Sequence, residues 1–90
     1  MSGPFPLSLG GGGRLIALAL GLLLLRRLTV GEADIPTLVR AIYIGLDPRL
    51  TRAAGLSVLA HLEDLVARRL VATDGAPSIE GRYRLEVAVG

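Results

Sequence analysis

Apolar residues fall into blocks along this chain, and the blocks differ in period. The first, LIALALGLLLL at residues 15–25, has no polar break and lies between Arg14 and the pair Arg26-Arg27. The second, IPTLVRAIYI at 35–44, sets Leu38, Val39, Ile42 and Tyr43 at helical spacing with Arg40 pointing away. Asp34 offers an N-cap oxygen, Pro36 fits the first turn, and Gly45 ends the helix. Asp47-Pro48 repeats the cap-plus-proline signal and starts a third helix running to about residue 69. On a helical wheel centred on Leu62, the residues Gly55, Val58, Leu59, Leu65 and Val66 fall within about 60° and form a core-facing stripe. Gly55 sits inside that helix at a cost of about 1 kcal/mol against alanine, so PRLTRAA can be a separate short turn.

The period then changes. Leu70-Val71-Ala72-Thr73 reads as a strand, and DGAPSIEG as a polar, Gly/Pro-rich turn. RYRLEVA at 82–88 alternates Tyr83, Leu85 and Val87 with Arg82, Arg84 and Glu86, the pattern of a half-buried strand. TVGEAD at 29–34 reads as a turn. Three helices with a C-terminal two-stranded wing make a winged helix-turn-helix, mainly α with a small β-hairpin. Residues 1–13, MSGPFPLSLGGGG, predict a flexible leader ahead of a single domain at 14–90.

Residues 15–25 admit three readings. A membrane-spanning helix needs about 20 apolar residues, and this run is shorter. A signal peptide needs a small-residue cleavage site, which Arg26-Arg27-Leu28 does not supply. The favoured reading is the first core helix. A surface helix ordinarily shows a polar face, and this one is apolar all round. Either a partner covers its outer side or the segment is foreign to the domain, and membrane contact through 15–25 stays open.

Composition narrows the chemistry. All ten basic residues are arginine, and Lys, Asn, Gln and Cys are absent. That pattern reads as a GC-rich genome, which weakens arginine excess as a sign of nucleic-acid binding. The net charge is +2 and the mean hydropathy +0.57. Without cysteine there is no disulfide, as suits the cytoplasm. One histidine leaves little for a metal, and no cofactor is expected. His61 lies about 100° from the stripe centre, a boundary position. Glu63 and Asp64 are neighbours on a helix and point apart, so they read as a solvated face. Arg49, Arg52, Arg82 and Arg84 are the candidate phosphate contacts if the third helix enters a major groove. Against that, its outward face offers Ser57, Ala60, Asp64 and Ala67 with Glu63 beside them, and carboxylates repel phosphate.

Three stretches carry a family resemblance: GEADIPTLVRAIY, LDPRLTRAAGLSVLAHLEDL, and VARRLVATD followed by YRL. From about Gly31 to Leu85 the chain resembles the winged-helix module at the C-terminus of metallo-β-lactamase-fold hydrolases. The resemblance implies a module that follows a catalytic domain and packs on it, in enzymes that include nuclease-like, thioesterase-like and glyoxalase-like members. Two departures stand out. The chain has no His-x-His-x-Asp-His run, and residues 1–28 are not the charge-bearing amphipathic helix expected there. Arg69 also stands where glycine often precedes the first wing strand. The expectation is a non-catalytic accessory module that binds a hydrolase domain or a second copy of itself. Tyr43, Leu56, His61 and the oily first helix are its expected contact surface, because Leu56 falls about 120° off the core stripe. The alternative is a small DNA-binding regulator. RNA contact within a nuclease assembly is not separable from these by sequence.

Overall fold

The computed structural model describes residues 18–86; the leader at 1–13 and Val87 lie outside them. A first helix, α1, occupies the described residues 18–28. It is followed by a short strand, β1 (Ala33–Asp34), and α2 (Ile35–Ile42). A 3-10 turn over Pro48–Leu50 leads into α3 (Thr51–Ala67). Strands β2 (Val71–Thr73) and β3 (Arg82–Leu85) close the chain's described part. The sheet is antiparallel in the order β1-β3-β2. This is a winged helix-turn-helix.

The wing therefore belongs to a three-stranded sheet rather than the expected two. Residues 29–34 are not a turn throughout, because Ala33 pairs with Tyr83 and Asp34 with Arg82. A two-residue strand is too short to show alternation, and only the partner strand reveals it. Arg82 adds an ion pair from its Nε to Glu32 Oε2 at 3.1 Å across the same junction.

Capping follows the sequence. Asp34 Oδ1 accepts from the Thr37 amide at 2.9 Å, and Asp47 Oδ1 from the Arg49 amide at 2.9 Å. Pro36 and Pro48 each stand in a first turn, where a missing N–H costs nothing. The helix α2 is two residues shorter than 35–44: Tyr43 is its C-cap, and Gly45 takes a left-handed φ of 77°. The break in the third helix falls before Thr51, and α3 runs unbroken through Gly55.

The core is aliphatic around one tyrosine. Leu24 and Leu28 of α1, Ile35, Leu38 and Val39 of α2, Val58, Leu62 and Leu65 of α3, Val71 of β2 and Tyr83 of β3 are all buried. The wheel stripe on α3 is confirmed, with Leu59 and Val66 half-buried at its margins. On α1 the outer positions Leu18, Leu22 and Leu23 stay exposed. Among the described residues no helix is long and apolar enough to cross a membrane.

The end of α3 resolves the position of Arg69. The Leu70 amide donates to Leu65 O at 3.0 Å, and the Arg69 amide to Val66 O at 3.0 Å. This crossed pair is a Schellman motif, which needs a left-handed residue after the C-cap. Arg69 supplies it with φ 62°.

Candidate interaction surface

An apolar groove opens where α2, the start of α3 and the hairpin loop meet. Ile35, Pro36 and Val39 form one wall, Arg52 and Leu56 the other, and Ile79 of the loop closes one end. Its volume is about 330 Å³. Thr51, Arg52, Gly55 and Leu56 share one side of α3 because they are spaced by three and four residues. Gly55 is buried beneath them: a Cβ there would lie 3.6 Å from Ile35 Cγ2 and 3.6 Å from Ile79 Cδ1. Leu56 is 51% exposed and Ile79 43% exposed, so the rim is apolar and open to solvent.

Ile79 is held in place from the sheet. Tyr83 is wholly buried, and its hydroxyl reaches the loop at Ser78, donating to the carbonyl oxygen at 2.6 Å and accepting from the amide at 3.0 Å. Burial pushes its ionisation above the ordinary tyrosine value, and the nearby Glu63 charge pushes the same way. Ile79 is a groove residue that sequence reasoning passed over. Its trace was visible: it is the one large apolar side chain in the otherwise polar tip DGAPSIEG.

The expected contact residues do not form one cluster. Leu56 lines the groove just described. Tyr43 lies in an adjoining depression that shares Pro36, Val39 and Thr51 with it. His61 faces elsewhere, in a cleft between α1 and α3 with Leu18, Leu22 and Asp64. Its Nδ1 is 2.8 Å from the Ser57 carbonyl oxygen, so Nδ1 carries the proton and donates along its own helix.

Three of the four candidate phosphate-binding arginines are engaged with carboxylates. Arg49 pairs with Asp47 at 2.9 Å, Arg82 with Glu32 at 3.1 Å and Arg84 with Asp74 at 3.4 Å. The Asp47 carboxyl is held below its ordinary range by the hydrogen bond from the Arg49 side chain. Such exposed pairs add little stability, but they partly neutralise the positive field that phosphate would meet. Arg52 makes no ion pair among the described residues and stands on the groove wall. Also among the described residues, no three His, Cys, Asp or Glu side chains are grouped to hold a metal ion.

The beta-lactamase associated winged helix domain model matches residues 35–81, more than half of the chain. The chain belongs to this family. The matched part of the winged helix domain spans α2, α3, β2 and the hairpin loop, and so contains every residue lining the groove. Helix α1 lies outside it. No curated protein and no solved structure matched the chain.

Proposed function

We propose that this winged helix is a non-catalytic accessory module that docks, through the groove at Leu56 and Ile79, onto a metallo-β-lactamase-fold hydrolase domain. Any zinc chemistry then belongs to the partner. The observation that carries the reading is an open apolar groove, already formed and lying wholly within the family-matched segment. A slot with an exposed leucine and isoleucine on its rim suits a protein surface, where apolar anchors in desolvated pockets supply most of the affinity. The outer face of α3 supports the same reading over duplex DNA. It exposes Glu63 and Asp64, while three of the four candidate phosphate ligands already face carboxylates.

Calorimetry of the chain against a metallo-β-lactamase-fold hydrolase domain tests this. Binding is expected, and Leu56→Asp is expected to abolish it while leaving the melting temperature unchanged. No heat of binding, together with sedimentation of the chain as a monomer, sinks the proposal. A dimer that Leu56→Asp dissociates would assign the groove to a second copy instead.

A further inference from the structure

A second surface lies at the opposite ends of α1 and α2 and shares no lining residue with the groove at Leu56. Two chain reversals meet there. Val30, in the turn after α1, is 79% exposed, and Ile44, in the turn after α2, is 88% exposed. Leu23 of α1 joins them, and Arg26 and Arg27 stand beside them. Arg40 flanks Ile44 from the other side. Among the described residues none of these three arginines pairs with a carboxylate; Arg27 only approaches the Gly31 carbonyl oxygen, at 3.5 Å.

We infer that this surface binds an anionic lipid membrane, with Val30 and Ile44 seated at the headgroup boundary and the arginines on lipid phosphates. Charge decides the occupant. Residues 1–31 carry three arginines and no carboxylate, whereas residues 32–90 carry seven arginines and all eight carboxylates. The end of α1 and the turn after it, over residues 18–31, therefore carry Arg26 and Arg27 with no carboxylate, and Leu23 and Val30 protrude from the same stretch. Glu32, the carboxylate next in sequence to the patch, is occupied by Arg82. A second copy of the chain would bring arginine against arginine on this face, so self-association there is opposed. Apolar tips ringed by free cations match the requirements of an interfacial contact, namely modest apolar insertion plus attraction to anionic lipid. The contact is made by two turns and the end of α1, and so lies on the membrane surface. It leaves the groove at Leu56 free for a protein.

Cosedimentation of the full chain with vesicles tests the inference. Vesicles of mixed phosphatidylglycerol and phosphatidylcholine should retain the protein, pure phosphatidylcholine should not, and 0.5 M salt should release it. Arg26→Glu with Arg27→Glu should weaken binding by roughly thirty-fold or more. Val30→Asp with Ile44→Asp should abolish it. Arg26, Val30 and Ile44 are exposed and Arg27 is half-buried, so unchanged thermal melts of the variants will exclude unfolding. Equal binding to both vesicle types, no binding to either, or variants that bind like the parent chain would overturn the inference. So would capture of an acidic protein through Arg26 and Arg27 without any vesicle binding, which would give the surface to a protein partner.

Discussion

The Tyr83 hydroxyl and the Ser78 backbone make a reciprocal pair, with O···O at 2.6 Å and N···O at 3.0 Å. One phenol thereby bonds both backbone polar groups of a loop residue five positions away, next to Ile79 of the groove. Gly81 completes the arrangement: a Cβ there would stand only 3.2 Å from that hydroxyl.

Replacing Tyr83 with phenylalanine should keep the buried ring and lose both hydrogen bonds. The expected cost is about 1–2 kcal/mol, seen as a lower melting temperature and faster proteolysis within residues 74–81. The pH dependence has a definite sign. The folded-state ionisation lies above the ordinary 10.0 because of burial, with Glu63 adding to it and the Ser78 bond opposing. The resulting stability is fully present below pH 10 and is lost as pH rises through the raised value. Melting temperatures should fall in strong alkali for the parent chain and fall less for Tyr83→Phe.

At the other end of the pH scale the relevant group is Asp34. Its carboxyl is depressed below 3.8, chiefly by the hydrogen bonds from Thr37. The contribution is present above the unfolded-state value and lost as pH falls through the lower folded-state value. Asp34→Ala should cost about 1 kcal/mol near neutral pH by removing the cap. Asp34→Asn should keep much of the cap and show a shallower loss between pH 5 and pH 2. Melts of the three proteins across that range check both statements. Asp47, depressed by Arg49, leaves some acid sensitivity in every variant.

Arg69→Gly should stabilise the fold. A left-handed residue with a side chain is strained by about 1–2 kcal/mol, and glycine gives back roughly 0.4–1 kcal/mol through its freer unfolded chain. The net gain is about 0.5–1 kcal/mol. A chemical-denaturation midpoint that fails to rise would show that the Arg69 side chain does compensating work through its stem.

Gly55→Ala separates stability from docking. Helix propensity favours alanine by about 1 kcal/mol, and the new Cβ meets Ile35 and Ile79 at 3.6 Å, an ordinary contact. The variant should melt higher than the parent chain. It should also bind a hydrolase domain more weakly, because the methyl group fills the floor of the groove. Higher stability with unchanged affinity would move the docking site away from this groove.

Much of the scaffold was legible because its causes are local. The caps at Asp34 and Asp47, the prolines beside them, the stripe centred on Leu62 and the departure from glycine at Arg69 each depend on residues within a turn or two. The β1 strand was not legible, since Ala33 and Asp34 are a strand only through Tyr83 and Arg82, about fifty positions away. The groove was half legible. Leu56 was conspicuous as an apolar residue off the stripe, but its neighbour Ile79 arrives through the Tyr83–Ser78 pair and a glycine that carries no pattern. Tyr43 and His61 were expected beside Leu56, whose place rested on helical phase, and phase cannot tell which neighbouring element covers each side of a helix. On α1 the described residues Leu18, Leu22 and Leu23 are exposed, but they border clefts toward α3 and the turns at Val30 and Ile44, neighbours that the pattern of α1 alone does not name.

The strand that unites the sheet is the last of the described strands in chain order. β3 sits between β1 and β2, so neither of them has a sheet partner until residues 82–85 are available. A nascent chain stopped before Tyr83 could wind its helices but could not complete the core, since the largest fully buried side chain would still be inside the ribosome. Folding on the ribosome should therefore be all-or-none and late, and pairing across some fifty residues makes it slower than the short helices alone would suggest. Force-based arrest measurements on chains of increasing length should show a single folding event only after β3 has emerged.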